Sequence, residues 1–143
     1  MKTFVLVVED NIANRELLQD WLEAEGFDVL SVGNLQGALN ALEARTPHVV
    51  LLDVQLGTED GLALSAWIRS NPPISHIPII AVTAHAMMAD QQRVVQAGCN
   101  ACVSKPIDFK ILRGQLTQWL ASTASSATSN ICFVPQARIG SGS

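Results

Sequence analysis

Short apolar runs and longer amphipathic stretches alternate five times along the chain. Phe4–Val8 is the first uninterrupted run, and it stops on two acids, Glu9-Asp10. Phe27 to Val32 is the second, with Phe27, Val29 and Leu30 as its apolar members. Val49 to Leu52 stops on Asp53, Ile79 to Val82 on Thr83, and Ala101 to Ser104 on Lys105-Pro106. Apolar runs this short, bounded by turn residues, read as strands buried on both faces of a parallel sheet. Between them apolar positions recur at helical spacing. The first set is Leu17, Leu18, Trp21 and Leu22 within residues 12–25, closed by Gly26; the second is Leu35, Ala38, Leu39 and Leu42, closed before Pro47. Leu62, Ala63, Leu64, Trp67 and Ile68 follow a cap at Asp60 and end at Pro72-Pro73. A fourth helix is expected over Ala86 to Ala97, stopped by Gly98, and a fifth behind Asp108 through Ile111, Leu112, Leu116, Trp119 and Leu120.

Five strands alternating with five helices predict an α/β fold: an open, doubly wound, three-layer sheet with right-handed crossovers and helices on both faces. The domain is expected over residues 1–121. From Ser122 the composition turns to Ser, Thr and Ala, so residues 122–143 are expected to be a flexible linker or tail, with Ile131 to Val134 too short to form a domain.

Composition narrows the setting. The chain has 143 residues, 48% hydrophobic and 15% charged, which suits one compact domain and argues against disorder. A net charge of −4 gives no electrostatic case for nucleic acid as a direct ligand. No apolar stretch approaches the roughly 20 residues that span a bilayer, and Phe4–Val8 is too short for a signal-peptide core. Three cysteines without a secretory signal fit a cytoplasmic location.

The strand ends carry the chemistry. Open α/β sheets hold ligands beyond the carboxyl ends of their strands, and there the sequence places Glu9, Asp10, Asp53, Thr83 and Lys105. Three carboxylates gathered in one place repel each other, so a cation must lower the cost. Hard oxygen ligands with open positions suit Mg2+. Thr83 and Lys105 add a donor and a positive charge for the oxygens of an anion. A nucleophilic carboxylate beside Mg2+ with such donors describes phosphoryl transfer to aspartate.

Over roughly residues 3 to 121 the chain resembles the receiver domain of two-component response regulators. The resemblance rests on Glu9-Asp10-Asn11, Asp53 followed by Asp60-Gly61, Val82-Thr83-Ala84 and Ser104-Lys105-Pro106, each after a strand. The Asn14-Arg15 pair and the segment Thr83 to Ala86 look most like receivers of hybrid histidine kinase systems. The resemblance implies a flavodoxin-like strand order 2-1-3-4-5. It implies Asp53 as the phosphoacceptor, served by a histidine kinase or a histidine phosphotransfer protein. Mg2+ would be held by Glu9, Asp10, Asp53 and the Gln55 backbone carbonyl. Thr83 and Lys105 would contact the phosphoryl group, with a cis bond before Pro106. Ile12, Asn14, Arg15, Leu18 and Pro106 would meet the phosphodonor. Output would pass through self-association or a downstream effector, with no direct nucleic-acid contact and no membrane insertion. The activity implied is autocatalytic phosphoacceptance with slow self-dephosphorylation, not enzymatic turnover.

Two positions depart from the family pattern. Cys102 stands where receivers carry a switching aromatic residue, and the chain has no Tyr. Gly57 stands where a proline usually follows the third strand, and it widens the conformations open to that loop. A small thiol predicts a small shift at the face of the fourth helix and fifth strand. Other readings are weaker. A phosphatase of the haloacid-dehalogenase type wants an Asp where Gln55 stands. A flavodoxin-like cofactor binder wants a phosphate-cradling loop where Glu9-Asp10-Asn11 stands. Singly, Glu9-Asp10 reads as a solvated loop pair, Thr83 as a helix cap and Lys105 as a surface charge; the set does not. Cys99-Asn100-Ala101-Cys102 matches C-x-x-C but lacks a second pair and a helix start, and packing is expected of it. The histidines His48, His76 and His85 show no ligand spacing, and the three tryptophans read as packing residues.

Overall fold

The computed structural model describes residues 3–84 and 88–121. The expectations for His85 to Met87, for the tail 122–143 and for Cys132 lie outside the described residues. Five strands, β1 (Phe4–Val8), β2 (Asp28–Val32), β3 (Val49–Asp53), β4 (Ile79–Thr83) and β5 (Ala101–Ser104), form one parallel sheet in the order β2-β1-β3-β4-β5. Five helices accompany them: α1 (Ile12–Ala24), α2 (Leu35–Ala44), α3 (Leu62–Arg69), α4 (Met88–Gln96) and α5 (Phe109–Ala121). This is the doubly wound arrangement the alternation predicts, in the flavodoxin-like strand order the resemblance implies.

Period-two alternation within each strand splits the core into two layers. Leu6, Val8, Val50, Leu52 and Ala81 pack toward Ala38, Leu42, Leu64 and Ile68. Val5, Val7, Leu51, Ile80 and Val103 pack toward Leu18, Leu22, Leu112 and Leu116. Both faces of the central strands are therefore dry, so the runs are continuously apolar instead of alternating. Turn chemistry closes the helices where the sequence indicates. Asn11 and Asn34 cap α1 and α2 by accepting from Asn14 N–H and Gly37 N–H. Beyond α1, the Gly26 N–H donates to Glu23 O and the Phe27 N–H to Leu22 O, which satisfies two terminal carbonyls.

Several details correct the sequence reading. Phe27 precedes β2 instead of opening it. The residue flanking α3 is Gly61, and Asp60 lies one position earlier, its Oδ1 accepting from Leu62 N–H at 3.0 Å. Leu17 keeps helical period but faces outward, 55% exposed, and Trp67 is likewise at the surface. Two elements were not anticipated: a 3-10 turn at Pro72–Ile74 and a small antiparallel hairpin pairing Gln55–Leu56 with Glu59–Asp60.

The hairpin explains why Gly57 is not proline. Its φ is +61°, a left-handed conformation that the proline ring cannot adopt and that L side chains rarely take. Among the described residues no helix is long and apolar enough to cross a membrane.

Candidate functional site

Each candidate residue is delivered by a strand end. The sheet ladder continues one residue past β1, with Glu9 N–H donating to Val32 O at 3.0 Å, so Glu9 is fixed by backbone and 2% exposed. Asp53 is the last residue of β3, in register with Val82 and 4% exposed. Thr83 ends β4 and is buried; its carbonyl accepts from Lys105 N–H at 2.8 Å, which carries Lys105 off β5 toward the same place. The Lys105–Pro106 peptide is cis.

These backbones bring three carboxylates together. One oxygen from each of Glu9, Asp10 and Asp53 lies within 4.8 Å of the others. Lys105 Nζ meets Asp53 Oδ2 at 2.9 Å and Glu9 Oε1 at 3.5 Å. Backbone donors take the other oxygens: Gln55 N–H donates to Asp53 Oδ1 at 3.0 Å, and Asn11 N–H to Glu9 Oε2 at 3.2 Å. Arg15 reaches from α1 to the Glu9 carbonyl at 3.2 Å.

The electrostatics follow from burial and crowding. Burial raises the Glu9 pKa from 4.5 to about 7, assisted by its hydrogen bond with Asp53 and by the charge there, and opposed by Lys105 and the Asn11 amide. Burial works against the Lys105 ammonium, but Asp53 and Glu9 outweigh it and hold its pKa above the ordinary value. One lysine among three carboxylates leaves the site short of positive charge. A hard divalent cation fits that deficit, and the all-oxygen donor set matches Mg2+. Beside the carboxylates opens a cavity of about 500 Å3, lined by Asp53, Thr83, Lys105, Gln55, Asp60 and Arg93 among others.

Gly61 is a further requirement. A β-carbon there would collide with the Asp53 carbonyl, because Gly61 N–H turns back onto Val54 O at 2.7 Å. The Asp60-Gly61 pair in the sequence thus reflects how closely the chain returns to the strand it has left.

Glu9, Asp10, Asp53, Gln55, Thr83 and Lys105, singled out from sequence, all line this one cavity, whereas Cys102 lies buried in the core outside its lining. His48 Nδ1 accepts from Phe4 N–H at 2.9 Å, a strand-edge bond. Cys99 and Cys102 are buried thiols, not joined in a disulfide. Burial lifts Cys99 to a pKa of about 11, so it is no thiolate at neutral pH. Sequence reasoning missed Arg93 and the hairpin. A lone arginine on a helix gives no sign of facing a strand end until the packing of that helix is known.

A doubly wound sheet with a basic residue and three acids at its strand ends defines a class, the aspartate-centred signalling modules. The chain belongs to the response regulator receiver domain family, whose pattern it matches over residues 5–117. Among its relatives is the polar-differentiation response regulator DivK of Brucella anthropi, 40% identical over 107 residues, 75% of this chain and 87% of that protein. Two solved structures share the fold. The signal receiver domain of a DNA-binding response regulator from Colwellia psychrerythraea superposes with a TM-score of 0.78 at 26% identity, covering 83% of this chain and 98% of that one. The receiver domain of a signal transduction histidine kinase from Syntrophus aciditrophicus does so with a TM-score of 0.79 at 26% identity, covering 92% and 99%. Phosphoryl acceptance in two-component signalling is the general function of this family. Its members bind Mg2+ at an acidic pocket, interact with histidine kinases and effectors, and are not enzymes of the ordinary turnover kind.

Proposed function

We propose that Asp53 is the phosphoacceptor and that Glu9, Asp10, Asp53 and the Gln55 carbonyl form the Mg2+ site. The observation that supports this most is the pairing of Lys105 Nζ with Asp53 Oδ2 at 2.9 Å inside a pocket that also holds Thr83. In the transfer, an Asp53 carboxylate oxygen attacks phosphorus, the P–N bond to the donor imidazole breaks, and the imidazole leaves with its electron pair and takes up a proton. Mg2+, held by Glu9, Asp10, Asp53 and the Gln55 carbonyl, would supply charge neutralisation for the phosphoryl oxygens. Lys105 stands ready to pair with one of those oxygens, and Thr83 to donate to another. The Gln55 amide holds the Asp53 carboxylate in orientation.

The donor is read as a histidine kinase or a histidine phosphotransfer protein. Supporting this is an apolar groove of about 390 Å3 lined by Leu17, Leu18, Pro106, Ile107 and Phe109 and opening beside Lys105 and Glu9. Ile12 is 61% exposed next to it along α1. An exposed apolar helix face bordering a reactive site suits a helical partner presenting a phosphohistidine. Cytoplasmic location and residues 1–121 as the functional unit belong to the same reading.

The test is Mg2+-dependent labelling by a small phosphoryl donor, giving an acid-stable, alkali-labile adduct. Asp53→Asn should abolish it; labelling of that variant at the wild-type level would remove the assignment.

A further inference from the structure

Two features around the cavity are unused by the chemistry above: the Asp60 strand of the hairpin after β3, and Arg93 on α4. They form one connected path. Gln55, whose amide holds Asp53 Oδ1, is paired directly with Asp60 across the hairpin. Asp60 divides its carboxylate, with Oδ1 accepting from the first amide of α3 and Oδ2 facing Arg93 Nη2 at 3.3 Å. Arg93 in turn lines the same cavity as Asp53, Thr83 and Lys105.

The Arg93–Asp60 pair is built to exchange. Its side chains are 51% and 55% exposed and the contact is long, so solvent screens it. A phosphorylated aspartate would bring the cavity a group carrying about −1.5 to −2 charge and three acceptor oxygens in place of a single carboxylate charge. Lys105 offsets only one unit of that. A guanidinium fork matches phosphoryl oxygens better than one carboxylate oxygen at 3.3 Å. Meanwhile Cys102 is wholly buried, in register with Ala81, and belongs to the core layer that includes Val94 of α4. No ring at that position can move between a buried and an exposed place.

We propose that Arg93 is a second phosphoryl-binding cation, held in reserve on Asp60, and that its transfer to the phosphoryl oxygens carries the occupancy of Asp53 to α4. The proposal rests on Asp53 being the phosphoacceptor.

Beryllofluoride with Mg2+, a stable imitation of the acyl phosphate, tests it on the full chain by calorimetric titration. Arg93→Gln should weaken binding about tenfold, the size of one charge-assisted pair, whereas Arg93→Lys should recover part of the loss. Asp60→Asn keeps an acceptor for the Leu62 amide but weakens the tie to the arginine, so it should tighten binding, and that gain should vanish in the Arg93→Gln background. Hydrogen exchange of the α4 amides should respond to beryllofluoride in the wild type and not in Arg93→Gln. If both single variants shift affinity in the same direction, or neither shifts it, Arg93 is only a surface latch and the proposal is overturned. Asp53→Ala provides the separate check. Undiminished binding there would overturn the phosphoacceptor assignment, and this proposal with it, whereas the Arg93 and Asp60 outcomes bear on this proposal alone.

Discussion

At the scale of single residues, Glu9 has the clearest physical consequence. Folding buries its carboxyl against Asp53 and raises its pKa from 4.5 to about 7. Between those values the folded protein binds a proton that the unfolded chain has lost, so stability falls as pH rises. Below pH 4.5 both states are protonated and the contribution is fully present; it is lost as pH passes about 7. Lys105 is charged in both states across that window and adds no slope. Thermal midpoints measured in a chelator should therefore decline from pH 4.5 to 7.5, and Glu9→Gln should flatten the decline; an unchanged slope in that variant would place its cause elsewhere. Gly61 makes the second prediction. Gly61→Ala puts a methyl group into the Asp53 carbonyl, and should cost more than about 2 kcal/mol by denaturant titration, with backbone displacement registered at Asp53 itself.

At the scale of elements, Arg69 ties down the side of α3 away from the strand-end cavity. Its guanidinium donates to Gly98 O, Ser75 O, Ile77 O and Asn100 Oδ1, at 2.6 to 2.9 Å. Asn100 Oδ1 also accepts from Ile79 N–H, so one arginine fixes the end of α3, the start of β4 and the turn between α4 and β5. Burial lowers the arginine's pKa, though it stays protonated at any ordinary pH. Arg69→Ala leaves those acceptors without their donor and should cost about 3 kcal/mol in chemical denaturation. Phosphorylation at saturating donor should persist, since none of these atoms lines the site. Helix and strand positions were legible because core periodicity is a property of neighbouring residues. The hairpin at 55–60 was not, because two-residue strands carry no period, and Gly57 reads equally as a loop glycine until its φ is known.

At the scale of the whole molecule, the groove between α1 and the segment after β5 is, on the proposed function, the surface that meets the phosphodonor. Leu17 is one of four apolar positions on α1 at helical spacing, yet only Leu18 and Leu22 are fully buried. Leu17→Asp should slow transfer from a phosphohistidine-bearing protein at least tenfold more than labelling by a small donor, as the desolvation of one carboxylate at an interface implies. Equal slowing with both donors would mean that the groove acts through the active site and not through docking.

Sequence alone determined the order of elements and which polar residues close the strands at one end of the sheet. A strand buried on both faces must be continuously apolar, and a polar residue that ends such a strand can only lie at the sheet's carboxyl edge. That is why Glu9, Asp53, Thr83 and Lys105 could be named together although up to 96 residues separate them. Tertiary structure alone decided what faces that set from outside the strands. The rotation of α4 that points Arg93 into the cavity, and the left-handed turn at Gly57 that sets Asp60 opposite Gln55, depend on packing between distant elements. The exposure of Leu17 depends on it too. No local pattern records which side of a helix its neighbours leave uncovered.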